Sequence, residues 1–228
     1  MKLLKAHLDI GLFTNQIAEQ RAFWSDTIGL RFDHDIALGR GIVQYRYDAH
    51  GSVIKVNHLS TPLPVQRRTG YVGLTIASHD ARRYEGRHPD GDAVRLLRSG
   101  TDGVTGIGIT VRTPDPARMM RFYLGAMEFE QVGDHVARCG DSLLFVTEGE
   151  GGQESDDFVG VAFRYLTVQI QDADIALRDI VERGGRMARA PITLGTVARY
   201  GFVADPDGNW IEISARASLG AHVPADDR

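Results

Sequence analysis

The chain has 228 residues, of which 43% are hydrophobic and 25% charged, and its formal net charge is -4. A chain of this length buries roughly 70% of the surface it exposes when unfolded, so it needs no disulfide or metal staple, and its composition excludes a disordered chain. Acidic and basic residues are mixed along the whole length, which excludes a nucleic-acid-binding face, and no run of ~18 apolar residues exists to span a membrane.

Met1-Lys-Leu-Leu-Lys5 enters an amphipathic strand without the apolar stretch and cleavage site of a secretion leader, so the cytoplasm is the expected compartment. His7 to Thr14 predicts the first strand, and Asn15 precedes a helix carrying Ile17, Trp24 and Ile28 on one side and ending at Gly29. Strands follow in Arg31 to His58, with turns at Gly39-Arg-Gly41 and Gly51. Gly70 to Ala77 is again a strand, followed closely by Ala81 to Leu97, which contains the turn His88-Pro-Asp-Gly91. About 25 residues that would supply a helix and one further strand are missing there. The paired arginines Arg67-Arg68 and Arg82-Arg83 lack interleaved aromatic platforms and read as solvated surface.

After a joint near Ser99 to Gly103 the first pattern returns. Gly106 to Thr113 aligns without gaps on His7 to Thr14 at an offset of 99 residues, and the same offset brings Phe23 onto Phe122. Thr113 is the expected N-cap, Pro114 the first helical residue and Gly125 the helix end. Glu128 to Thr147 predicts strands around a turn at Gly140, with Cys139 as a buried, inert thiol that leaves no partner for a disulfide or a Cys-based zinc motif. Beyond a Gly/Asp/Ser-rich break from Gly149 to Asp157 come a strand over Arg164 to Ile170 and a capped helix from Asp172 to Gly184. That helix turns Leu177, Ile180 and Val181 to the core, and a hairpin around Asp205-Pro-Asp-Gly208 follows. Residues after Arg216 predict a loose tail.

A strand, a helix opening around Pro114-Asp-Pro116, Phe-Tyr before a glycine, and a closing Asp-Pro-Asp-Gly-Asn-Trp-Ile-Glu-Ile resemble the vicinal oxygen chelate superfamily of glyoxalase I, bleomycin resistance proteins and extradiol dioxygenases. The resemblance covers residues 4 to 215. It implies an α+β fold of tandem βαβββ units forming two curved mixed-sheet cups, with the second unit truncated. Residues 1–102 are then an N-terminal pair of modules, 103–216 a C-terminal pair and 217–228 a tail. It also implies pairing into homodimers through sheet edges.

Metal-using members of the superfamily hold a divalent ion in the cup, with ligands from the first strand of a unit, His or Gln, and from the last strand, Glu. Strand alternation turns such side chains inward, and open positions on the ion chelate two neighbouring substrate oxygens. The first-strand positions here are His7, Tyr71, Gly106 and Tyr165, and the last-strand positions are Lys55, Arg95, Phe145 and Glu212. Only His7 and Glu212 are good ligands. If adjacent units pair, neither cup has more than one; if the first and last units share a cup, His7, Tyr165 and Glu212 meet. A neutral tyrosine, with a pKa near 10, is a poor ligand for iron(II).

Two functional expectations follow. In the first, an enzyme of glyoxalase or dioxygenase type, performing lyase, isomerase or ring-cleavage chemistry, acts on a small aromatic or carboxylate-bearing molecule. Its reactive centre is Glu212 with His7 and Tyr165, His7 and Glu212 hold one iron, manganese or zinc ion, and Lys55 anchors an anion. In the second, a metal-free cup sequesters a planar ligand against Trp210, Phe145, Tyr71 and Tyr165. Arg199 is a further candidate for substrate binding, and an arginine such as Arg199 would pair with Glu212 in the case that this carboxylate is structural.

Overall fold

A computed structural model describes residues 2–224. The first unit comprises β1 (Asp9–Thr14), α1 (Ile17–Ala22), β2 (Arg31–Gly39), β3 (Ile42–Ala49) and β4 (Ser52–Leu59). The second has three strands and no helix: β5 (Tyr71–Ser78), β6 (Tyr84–Arg87) and β7 (Ala93–Arg98). The third contains β8 (Ile107–Thr113), α2 (Pro116–Arg121), β9 (Glu130–Gly133), β10 (Val136–Cys139) and β11 (Ser142–Glu148). The fourth contains β12 (Ala162–Gln169), α3 (Ala173–Glu182), β13 (Arg186–Leu194), β14 (Ala198–Ala204) and β15 (Trp210–Arg216). The tandem units and the truncation of the second are as the sequence pattern predicts.

The helix starts differ from expectation. Gln16 rather than Asn15 is the N-cap of α1, because the Asn15 side chain is engaged at the end of β4, donating to the carbonyls of Leu59 and Thr61. Asp115, not Thr113, caps α2 by accepting from the Arg118 amide, which puts Pro116 at the first turn. Both α1 and α2 continue into wider π turns, Phe23–Ile28 and Phe122–Ala126, so Gly125 lies inside its helical segment while Gly29 ends the other in a left-handed conformation. Asp172 caps α3 as expected, but Val181 faces solvent while Leu177 and Ile180 are buried.

The strands form two mixed sheets, ordered β13-β14-β15-β12-β1-β4-β3-β2 and β6-β7-β5-β8-β11-β10-β9. In each unit the last strand runs parallel beside the first, β4 on β1 and β15 on β12, leaving the other edge of each first strand open. Those open edges pair antiparallel, β1 with β12 and β5 with β8. The first and last units therefore share one sheet and the two middle units the other. Residues 1–102 and 103–216 consequently do not build separate pairs of modules.

One core cluster takes residues from both sheets and all three helices, among them Ile10, Trp24, Ile76, Ile109, Tyr123 and Ile180. The sheets are also tied by the two proline turns. Asp92, which follows His88-Pro-Asp-Gly91, accepts from the Phe163 amide at 2.7 Å, and Asn209, which follows Asp205-Pro-Asp-Gly208, accepts from the Gly70 amide at 2.6 Å. Each turn thus reaches across to the other sheet at equivalent positions.

The segment after Arg216 is not a loose tail over its described part. Ala217–Leu219 form a short helical turn, Ala221 packs against the core and the His222 amide donates to the Gln171 carbonyl; residues 225–228 lie outside the described residues. Among the described residues no helix is long and apolar enough to cross a membrane.

Asp205 organises its turn by accepting from the Asp207 and Asn209 amides and the Asn209 side chain. Burial outweighs these bonds and raises its pKa from 3.8 to about 6. A carboxyl with a raised folded-state pKa contributes stability that is complete below its unfolded pKa and is lost as pH rises through the folded value. Asp205→Asn is therefore expected to gain on the parent by about 2 kcal/mol between pH ~4 and pH ~7 in urea titrations, and a pH-independent difference would refute this.

Candidate functional site

Alternation along the eight-stranded sheet decides which side chains meet on its concave face. β1 turns Ile10 and Leu12 to the core and Asp9, Gly11 and Phe13 the other way. The register brings Lys55 beside Gly11, Thr167 opposite Asp9 and beside Glu212, and Phe202 opposite Glu212. The cup so formed encloses about 320 Å³, with Phe13, Phe158, Tyr165, Tyr200 and Phe202 on its walls and Lys55, Glu212, Ser214 and Arg216 among its polar lining. Gly11 is required at its place, since a Cβ there would lie 2.2 Å from the Tyr165 ring.

The centre of the floor is a three-membered hydrogen-bonded ring. The Lys55 ammonium donates to the Thr167 hydroxyl at 2.7 Å and to the Glu212 carboxylate at 3.0 Å, and Thr167 donates to the same carboxylate oxygen at 2.8 Å. The Lys55 side chain is 4% exposed and that of Glu212 14%. Burial lowers the Lys55 pKa, opposed by the nearby Glu212 and Asp9 carboxylates. Asp9, fully buried and bonded to Lys5 and the Val53 amide, keeps a pKa below the ordinary value because these partners and Lys55 outweigh desolvation. Tyr165 lies under the ammonium, 5.5 Å from ring centre to Nζ, and its hydroxyl accepts from Asn57 at 3.2 Å. Burial first and Glu212 second push the phenol well above its usual pKa, so it is a neutral hydroxyl and not a phenolate.

An aromatic cluster forms part of the wall. Phe158 stacks on Phe202 at 4.6 Å, and Arg189, paired with Asp157, covers Phe158, Phe202 and Trp210. The buried Arg164 donates to the Phe158 and Arg67 carbonyls and so anchors the segment that carries Phe158.

Of the residues expected from the sequence, the cup brings together Lys55, Tyr165 and Glu212. His7 is not among them: it precedes β1 and its imidazole turns to Asp141 in the β10–β11 turn of the other sheet. The inward residue that the ligand pattern required is two positions later, at Asp9. Tyr71 is in the core and donates to the Trp210 carbonyl, because an irregularity in the β5–β8 register between Tyr71 and Gly73 takes it out of the alternation that Gly73 and Thr75 follow. Phe145 belongs to the seven-stranded sheet and packs over Gly108. Arg199 points to the opposite face, where it pairs with Asp174 of α3, since even-numbered residues of β14 face the cup. Trp210 shares the Glu212 face but lies beneath Phe158 and Phe202 without lining the cavity. Cys139 is buried and its thiol pKa is pushed up to about 12, as expected of an inert residue. Asp9, Arg46, Thr167 and Arg216 were missed; strand parity with Gly11 and Glu212 was the signal that could have found them.

The donor set does not fit a divalent cation. A cation already occupies the middle of the floor, the first-strand histidine is outside the cup, and the tyrosine is neutral. Among the described residues no three His, Cys, Asp or Glu side chains converge on one point that could hold a metal ion. His50 and His79 contact each other edge to face, but no third ligand joins them.

Residues 107–213 match the family model described as Glyoxalase/Bleomycin resistance protein/Dioxygenase superfamily. Glyoxalase I from Zea mays has a similar structure, with 13% identity over 96% of this chain and 93% of that one at a TM-score of 0.69. A Bacillus subtilis protein provisionally described as a dioxygenase gives 13% identity, 98% and 92% coverage and a TM-score of 0.67. The cppA protein of Streptococcus pneumoniae gives 12%, 94% and 98%, and 0.54. Identities this low establish the shared fold alone. No curated protein matches the chain.

Removing one partner of a buried ion pair leaves the other charge uncompensated. Glu212→Ala is expected to lower unfolding free energy by about 3 kcal/mol in urea titrations, and Lys55→Met with Glu212→Leu to recover most of it. A single variant within about 0.5 kcal/mol of the parent would show that the pair is not desolvated.

Proposed function

We propose that this protein, which belongs to the Glyoxalase/Bleomycin resistance protein/Dioxygenase superfamily, binds a small planar, oxygen-bearing molecule in the cup shared by its first and last units, without a divalent ion. The observation that carries this reading is the Lys55 ammonium, held by Glu212 and Thr167 at the centre of the floor. A buried ammonium next to the carboxylate supplies the positive charge an ion would bring, and it opposes the entry of a second cation. The aromatic walls suit a flat ligand, which stacks on them with little loss of its own freedom. A volume of 320 Å³ lies at the small end of the ~300–1,000 Å³ typical of ligand sites and fits one or two rings.

Within this reading Lys55 and Tyr165 present polar hydrogens to a ligand oxygen, and Phe13 and Phe202 orient its plane. A second reading, proton transfer by Glu212 to or from a ligand carbon, draws on one feature: Glu212 lines the cavity directly beside an ammonium whose pKa is lowered by burial. Such chemistry would be read as catalysed exchange of a ligand C–H with D2O that Glu212→Gln abolishes.

The binding reading is tested by calorimetric titration with 2-naphthol, a neutral planar probe, before and after dialysis against EDTA and again with iron, manganese or zinc added. Saturable binding at one affinity in all states is expected, with Phe202→Ala weakening it about tenfold. Binding that disappears with EDTA and returns with one metal would overturn it.

A further inference from the structure

The charges around the cup floor do not balance. Lys5, Arg46, Lys55 and Arg216 surround it, against the carboxylates of Asp9 and Glu212. Both carboxylates are already paired with lysines, Asp9 with Lys5 and Glu212 with Lys55. Two guanidiniums at the floor are left over; elsewhere in the lining Arg189 pairs with Asp157, and Arg40 adds a further positive charge. Arg46 is 6% exposed, and its side chain makes one hydrogen bond, from Nη1 to the Gln44 side-chain oxygen at 2.8 Å. Its Nε is buried without a partner among the described residues. Arg216 lines the cavity, and its guanidinium makes no hydrogen bond or ion pair among the described residues. Burial lowers the Arg216 pKa and the Arg46 charge lowers it further, against the pull of the Glu212 and Asp9 carboxylates, which are already paired with lysines.

We propose that Arg216, with the buried Arg46 behind the lining, makes this cup an anion site, and that the ligand is a planar acid whose carboxylate lies against Arg216. This rests on the binding reading above and adds the ligand's charge and orientation. A buried guanidinium without its own ion-pair partner, as at Arg46, is unfavourable, and the half-buried Arg216 beside it adds like charge; an anion entering from solvent relieves both. The planar fork of N–H donors matches a carboxylate edge. The cavity sets the orientation, because Phe13 and Phe202 line it together with Arg216, so a ring on the aromatic wall directs its acid group toward the cations. The Glu212 carboxylate on the same floor repels a dianion more than a monoanion, which favours a carboxylic acid over a phosphate ester.

The test compares 2-naphthoate with 2-naphthol, which share the ring system and differ in charge. Naphthoate is expected to bind at least about tenfold more tightly, and Arg216→Gln and Arg46→Met to each reduce that ratio toward one. Arg112→Gln, outside the cup, should leave the ratio as it is in the parent. If the more buried Arg46→Met does not fold, Arg216→Gln alone decides. Equal affinity for the two probes, or a ratio unaffected by Arg216→Gln, overturns the anion subsite while the cup remains a binding site. Binding of neither probe overturns the cup reading and the subsite with it.

Discussion

A buried ammonium keeps its charge only where opposite charge and hydrogen-bond acceptors replace the water it has lost, and in this fold that requirement falls on Lys55. Glu212 and Thr167 meet it from strands more than a hundred residues away in sequence. The arrangement exists because β1 and β12 pair edge to edge, which joins the first and last units into one sheet. Had consecutive units paired, the lysine and the carboxylate would face different cups, each with a stranded charge. The topology of the sheet and the electrostatics of the floor therefore depend on each other.

The same pairing explains how the second unit tolerates the loss of its helix. The units that build the cup each retain a helix and four strands, whereas the truncated unit lies in the other sheet. There Phe145 packs into the space above Gly108. What survives of the truncated unit includes its proline turn, and Asp92 after that turn bonds the backbone of β12 beside the cup. Loss of the helix has left the support of the functional sheet in place.

The repeat, the helix positions and the shortened unit were legible because hydrophobic period and turn chemistry are local properties. The cup was legible only in part. Glu212 and Lys55 stood out because each has an ionisable side chain at an inward strand position, yet their partnership depends on unit pairing, which no local signal encodes. Arg199 was the expected counter-ion of Glu212, but an odd position on β14 turns it to the far face. His7 was misleading because the alternation of β1 extends back to it, while the strand itself starts at Asp9 and the imidazole is drawn off to Asp141. Asp9 escaped notice because a single polar residue in an apolar strand reads as background, and Arg46 because it alternates with Gln44 and Asp48 as an exposed face of β3 would, until the register shows what each faces.

What sits at the centre of the cup decides whether an ammonium or a metal ion supplies its positive charge. Crystals grown in the presence of manganese(II), with anomalous diffraction recorded at a wavelength where that ion scatters strongly, examine the point directly. The expected result is no anomalous peak in the cup and a Lys55 Nζ within hydrogen-bonding distance of Glu212 and Thr167. An anomalous peak coordinated by Glu212, with the lysine swung away, would contradict it.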